Sequence, residues 1–205
     1  MPPFKILSNE RVFICGMTGS GKTYLTKRLL SKVQRLIVVD PKAKLDDWDT
    51  MPFDREAYRL LADGHPVRTR VIPDERVDPE DLYNRAFAIA YEVGDVAVYI
   101  DELYGAVPPG GRPSPVLSAL YTRGREFGIG VWAATQRPVW VPLFALSESQ
   151  HFFTFYLQLS EDRARMAAFQ GEAVLEKITD AHGFFYSRAQ DREPTYYPAY
   201  QEVTK

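Results

Sequence analysis

Residues 16–23 read Gly-Met-Thr-Gly-Ser-Gly-Lys-Thr, and no other stretch narrows the possible folds of this chain as far. Glycines at 16, 19 and 21 let the backbone turn so tightly that successive N–H groups converge on one anion. A lysine and a hydroxyl follow at the spacing G-x-x-x-x-G-K-[ST], the pattern of a phosphate-binding loop. On this reading Gly16, Met17, Thr18, Gly19, Ser20, Gly21, Lys22, Thr23 and the adjoining Tyr24 form the nucleotide cradle. Lys22 brings a mobile positive charge to the β- and γ-phosphates of ATP, and the Thr23 hydroxyl is placed to ligate Mg²⁺. Such a loop needs a strand before it and a helix after it. Arg11-Val-Phe-Ile-Cys15 has the apolar character of a buried strand, and 23–30 reads as helix. The phosphates then meet a helix N-terminus, where the dipole favours anions.

The rest of the chain repeats that alternation, which predicts an α/β fold with a mostly parallel central sheet flanked by helices. Strands are expected over 11–15, 36–40, 67–72 (nearer an edge, since it alternates), 96–102, 129–136, 151–156 and 183–187. Helices are expected over 23–30, 79–93 (Asp78 capping, Pro79 at the first position), 115–127 (Ser114 capping), 142–149 and 160–178 with a break at Gly171. The loop-bearing strand should be central, beside the strand ending at Gln136. The length of 205 residues fits one domain, with a core over about 11–190 and an extended tail over 191–205. From Pro194 that aromatic tail either packs on a neighbouring subunit or is disordered.

Composition excludes several functions. The net charge of −2 leaves no global basic footprint, so any nucleic-acid contact must be local. The sequence has no apolar run of transmembrane length and no signal peptide. A single cysteine, Cys15, excludes an internal disulfide and a cysteine zinc cluster, and its strand position makes it a small buried hydrophobe. His65, His151 and His182 have no metal-ligand spacing.

The second half supplies groups that suit a bound triphosphate. Val96-Ala-Val-Tyr-Ile100 leads into Asp101 and Glu102, a buried strand delivering carboxylates beside the loop. Asp101 would hold the Mg²⁺ shell, and Glu102 could take a proton from the attacking water. Gln136 ends another strand, where a polar side chain faces the ligand crevice of an open α/β sheet. Arg123, Arg125 and Arg137 flank that strand, and one of them can serve as an arginine finger to a neighbouring subunit. The Arg-Gly-Arg-Glu-Phe-Gly spacing favours Arg125. For DNA, the candidates are Arg112, in the Pro/Gly-rich loop 107–115, and Lys42 and Lys44 after the second strand.

Gly124-Arg-Glu-Phe-Gly-Ile-Gly130, followed by Thr135-Gln-Arg-Pro138, resembles the signature of the HerA/FtsK superfamily of DNA-pumping ATPases, and the likeness spans about 11–156. The resemblance implies a RecA-like core of the additional-strand, catalytic-glutamate branch, and an ATPase acting on double-stranded DNA. It implies a homo-oligomeric ring, usually a hexamer, with active sites between subunits. By position it assigns Lys22 and Thr23 to phosphate and Mg²⁺, Asp101 to the metal, Glu102 to the water, Gln136 to the sensor and Arg125 to the trans finger, with Arg123 as second choice. The chain lacks the extra domains of large members and is similar to the minimal genome-packaging ATPases of internal-membrane icosahedral viruses. That implies action in the host-cell cytoplasm, incorporation at a virion vertex, and a viral membrane or portal protein as anchor. Phage-morphogenesis or conjugation-type ATPases of the same superfamily are the alternative. A small-molecule kinase or an ATP-dependent assembly scaffold are the competing readings outside it.

Overall fold

The computed structural model describes residues 4–74, 76–107 and 111–199. Among these, nine strands form one sheet: β1 (Arg11–Cys15), β2 (Leu36–Val39), β3 (Met51–Pro52), β4 (Arg68–Val71), β5 (Ala97–Ile100), β6 (Gly130–Thr135), β7 (His151–Phe155), β8 (Phe184–Arg188) and β9 (Thr195–Tyr197). The helices are α1 (Lys22–Leu30), α2 (Arg55–Ala62), α3 (Pro79–Val93), α4 (Leu103–Ala106), α5 (Pro115–Arg123), α6 (Leu143–Ser147) and α7 (Ser160–Gln170). Strand order is β3-β4-β2-β5-β6-β1-β7-β8-β9, parallel from β3 to β7 and antiparallel across β7-β8-β9. The loop-bearing β1 is central and beside β6 as expected; β7 flanks its other side, and β5 lies just beyond β6.

The central strands are apolar throughout because both faces are covered. Successive side chains of β1 divide between two cores. Phe13 and Cys15 face one core with Ile37, Val98, Ile100 and Val131, while Val12 and Ile14 face the other with Leu36, Val38, Tyr99 and Trp132. The first core packs under α3 and α5 through Phe87, Ala90, Leu117 and Leu120. The second packs under α1 through Leu25 and Leu30.

Local chemistry sets the helix ends. Asp78 accepts from the Glu80 N–H at 2.8 Å, Pro79 opens α3, and acidic residues fill its first turn. Ser114 Oγ accepts from the Leu117 N–H at 3.2 Å and opens α5. The helix expected over 115–127 ends early. From Gly124 to Phe127 it tightens into a 3-10 turn, and Ile129 N–H returns to the Gly124 carbonyl at 2.9 Å so the chain can enter β6. The break expected at Gly171 is found, with φ 106 after α7 ends at Gln170, but beyond it only a 3-10 turn over Glu172–Leu175 follows. The sequence gives no sign of β3, of the short α4, or of α2, which Asp54 caps by accepting from the Ala57 N–H at 2.9 Å.

The tail is corrected too. Up to Ala199 it is not disordered. Thr195–Tyr197 pair with β8, and the Tyr197 ring stacks on Phe184 at 5.4 Å. Residues 200–205, and 108–110 of the Pro/Gly loop, lie outside the described residues.

Candidate active site

Register builds the site. Cys15 lies opposite Thr135 and Thr154, and Ile100 opposite Ala133. Continued past the strand ends, this pairing sets Asp101 level with Ala134 and Glu102 level with Thr135, all beside the loop that leaves β1. Lys22, Thr23, Asp101, Glu102 and Gln136 consequently line one pocket, together with Thr18, Gly19, Lys42 and Lys44.

The glycine loop is held at its base and open at its tip. Gly16 N–H bonds the Thr135 carbonyl at 3.2 Å, and Met17 N–H the Tyr156 carbonyl at 2.9 Å. A Cβ at Gly16 would meet Phe155 Cβ at 2.5 Å, so only glycine lets β1 pass β7 here. Gly21 caps α1 at φ 105, a conformation other residues rarely adopt. Among the described residues no backbone carbonyl takes the N–H groups of Gly19, Gly21, Lys22 or Thr23. The buried Ser20 hydroxyl also has no partner. This cradle of unused donors fits a phosphate chain. Lys22 Nζ is folded back onto the Gly16 and Met17 carbonyls, at 2.6 and 3.0 Å. Burial lowers its pKa, while Glu102 and then Asp101 oppose that shift.

The two acids differ in setting. Asp101 Oδ1 accepts from the Tyr99 hydroxyl at 2.7 Å, and burial raises its pKa. Glu102, 4% exposed, is gripped by four donors. Oε1 accepts from Thr135 Oγ1 and Gln136 N–H, both at 3.0 Å. Oε2 accepts from Gln136 Nε2 at 2.8 Å and Lys42 Nζ at 3.2 Å. Its backbone sits at φ 74, a left-handed conformation that costs roughly 1–3 kcal/mol and clusters at functional sites. The Gln136 amide oxygen completes the link to the loop, accepting from Thr18 Oγ1 at 2.8 Å.

No protein-family profile matches the chain. Over 182 residues it is 32% identical to the DNA packaging ATPase P9 of Enterobacteria phage PRD1, covering 84% of this chain and 74% of P9. The chain belongs to the family of that packaging ATPase. Among solved structures, the genome packaging NTPase B204 of Sulfolobus turreted icosahedral virus 2, in complex with AMPPCP, has a TM-score of 0.75 and 15% identity. That match covers 96% of this chain and all (100%) of B204. The pCW3 conjugation coupling protein TcpA matches at a TM-score of 0.65 and 15% identity, over 96% of this chain and 62% of its own. At such identities these likenesses speak for the fold alone. Together with the sheet order they bear out the RecA-like α/β class, and the identity to P9 bears out the resemblance to minimal HerA/FtsK-type packaging ATPases.

In this packaging-family chain the arginines separate cleanly. Arg137 donates from Nε to Asp162 Oδ2 at 2.8 Å, pairs with Glu161, and lies over the Trp140 ring at 4.2 Å. It is committed within its own chain. Arg123 and Arg125 are exposed and precede β6, at the end of the sheet opposite the loop. A strand the length of β6 spans roughly 20 Å, so neither reaches its own phosphate site. Lys42 and Lys44, read from sequence as DNA candidates, line the phosphate pocket, and Lys42 pairs with Glu102. The reason is Asp40. Fully buried at the end of β2, it accepts from the N–H groups of Lys44 and Leu45 at 3.2 and 2.9 Å and folds the loop back over the acids. Arg112 is exposed. The sequence reading missed Thr135, Tyr99 and Asp40, whose hydroxyls and carboxylate looked like ordinary strand ends. It also missed 177–183, which line a cleft of about 500 Å³ beside Met17–Ser20.

Proposed function

We propose that this chain hydrolyses ATP to drive double-stranded DNA through a homo-oligomeric, hexameric ring, as a viral genome-packaging motor. The observation that carries the reading is the convergence of Lys22, Thr23, Asp101, Glu102 and Gln136 on one pocket, in a chain 32% identical to a packaging ATPase. Residues 16–24 hold the triphosphate, the unused N–H groups and Lys22 taking its oxygens. Lys22 is then drawn from the loop carbonyls to the phosphates, since an anion is a better partner for an ammonium than two carbonyls.

The donor set suits Mg²⁺, which accepts one or two protein oxygens and keeps several waters: Thr23 and Asp101 would hold it, and bound there it would neutralise charge on the phosphates. Glu102 takes the proton of the attacking water. Gln136 bonds Glu102 and Thr18 at once, and so can report γ-phosphate loss from the loop to the acid. A carboxylate held this way suits water as acceptor rather than a second substrate, which favours an ATPase over a kinase. Arg125, or Arg123 beside it, serves the neighbouring subunit's phosphates. Arg112 contacts the DNA backbone. The protein works in the host-cell cytoplasm at the virion vertex, anchored by a membrane or portal protein.

Steady-state ATP hydrolysis with and without duplex DNA tests the reading. Turnover should rise with DNA, and Glu102→Gln should bind ATP yet lose roughly 10²–10⁴-fold in rate. Hydrolysis indifferent to DNA, or phosphoryl transfer to a small acceptor, would remove it.

A further inference from the structure

We infer that Lys42 is a second cation of the nucleotide site: it pairs with Glu102 in the nucleotide-free protein and exchanges that partner for the γ-phosphate when ATP binds. The inference rests on the functional reading above and adds a residue to it.

The placement is built, not incidental. Lys42 Nζ lies 3.2 Å from Oε2 of a glutamate only 4% exposed, while the lysine side chain is 35% exposed. Its main chain is fixed from three directions. The buried Asp40 carboxylate accepts the N–H groups of Lys44 and Leu45, and the Asp40 carbonyl takes the Ala43 N–H at 3.2 Å. Arg70 supports Asp40 from β4 at 3.4 Å. Pro41 packs on Gly105 of α4, where a Cβ would meet its ring at 3.2 Å. Ala43 takes φ 50 to make the turn. The result is a tight loop that brings the ammonium to Glu102 while leaving the lysine partly open to solvent.

Lys42 also sits near enough to the other charges to act on them. Its charge disfavours protonation of Lys22 and favours the ionised form of Asp101. With Lys22, Thr23, Asp101, Glu102 and Gln136 it lines one pocket beside the glycine loop, the place the proposed roles of Lys22 and Glu102 give to the γ-phosphate. A terminal phosphate carries more negative charge than a carboxylate, so an ammonium within reach of both favours the phosphate. When Lys42 leaves, Gln136 and Thr135 still orient Glu102, but one donor is removed from Oε2, the oxygen that can then accept from water. Lys42 is thus a positioning residue for Glu102 before ATP arrives and a phosphate contact afterwards.

Two measurements test this. In nucleotide-free protein, Lys42→Ala should lower the thermal midpoint, and should lower it much less in a Glu102→Gln background. With nucleotide, Lys42→Ala should weaken binding of AMPPCP several-fold while leaving ADP, which has no γ-phosphate, unchanged. It should reduce basal and DNA-stimulated kcat alike by about ten- to hundred-fold. Lys42→Arg should recover part of the rate and Lys42→Gln none. Wild-type kcat in Lys42→Ala overturns the inference. So does equal loss of affinity for ADP and AMPPCP, or a loss confined to the DNA-stimulated increment. If the wild type itself does not hydrolyse ATP, the motor reading falls and this inference with it. If the wild type turns over, Glu102→Gln is dead and Lys42→Ala is normal, only the inference falls.

Discussion

Cys15 and His151 show how burial on the two strands beside the glycine loop fixes protonation. Cys15 is fully buried one residue before the loop, its Sγ 3.4 Å from Thr154 Oγ1, and burial pushes its thiol up to about 12. At pH 8 the thiolate fraction is then on the order of 10⁻⁴, and the sulfur has no path to solvent. The native protein should resist an aromatic disulfide reagent for hours and react at once when unfolded; fast labelling of the native protein would contradict this. His151 is fully buried on β7, with Nδ1 2.9 Å from the Tyr186 hydroxyl, Glu10 at 3.2 Å and Arg188 nearby. Burial lowers its pKa, more than Glu10 raises it. The native state therefore disfavours the proton that the unfolded chain accepts near 6.5. Stability from this group is present above that pH and is lost as pH falls through it, by at most about 1.4 kcal/mol per unit. Thermal midpoints from pH 7.5 to 5 should fall, and the fall should be shallower in His151→Gln. An unchanged slope would place the sensitivity elsewhere.

The element that locks the end of β6 is α7, through Arg137 and Asp162. Asp162 is 2% exposed, and besides the guanidinium it accepts the Val139 N–H at 3.2 Å. Asp162→Ala leaves Arg137 with the exposed Glu161 and the Trp140 ring, and frees the segment that follows Gln136. Urea unfolding should show a loss of about 2–3 kcal/mol, somewhat below the usual figure for a broken buried pair because Arg137 is partly solvated. ATP turnover should fall as well, as Gln136 loses its placement. A stable variant with normal turnover would show that α7 does not set the sensor. None of this coupling was legible in sequence, since Arg137 and Asp162 are far apart in the chain and look like separate surface charges. What was legible had local causes. Asp78-Pro79 and Ser114-Pro115 open α3 and α5 as read, and the apolar runs of β1, β5 and β6 could only be buried strands. Where tertiary contact decides, the reading failed. The α2 helix, eight residues with only Ala57 and Leu61 buried, is too short to show a periodic apolar face in the sequence. The tail became β9 because β8 offers it an edge. The reach of Lys42 to Glu102, set by the way Asp40 folds its loop, has no local signal either.

At the scale of the whole molecule, the sheet polarity bears on the proposed ring. The phosphate loop, both acids and Gln136 lie at the C-terminal end of the parallel strands, and Arg123 and Arg125 lie at the other end. Arg123 rests over the Tyr91 ring at 6.0 Å, whereas Arg125 is exposed on the 3-10 turn near Arg11. In the proposed ring, head-to-tail association would bring the lower end of one protomer against the upper end of the next, and closure would complete every site. This arrangement can be tested with two disabled variants. Lys22→Ala removes the phosphate-binding cation but keeps Arg125, and Arg125→Ala does the reverse, so each alone should be inactive. In a randomly mixed oligomer from equal amounts, a working site needs an Arg125→Ala subunit supplying the loop and a Lys22→Ala subunit supplying the arginine. Each has even odds of occupying its place, so about a quarter of the sites should recover. ATPase activity measured across mixing ratios should peak at equal proportions and vanish at either end. If activity stays at zero in oligomers shown to contain both variants, Arg125 does not act across the interface. Repeating the mixture with Arg123→Ala in its place then decides whether the neighbouring arginine does.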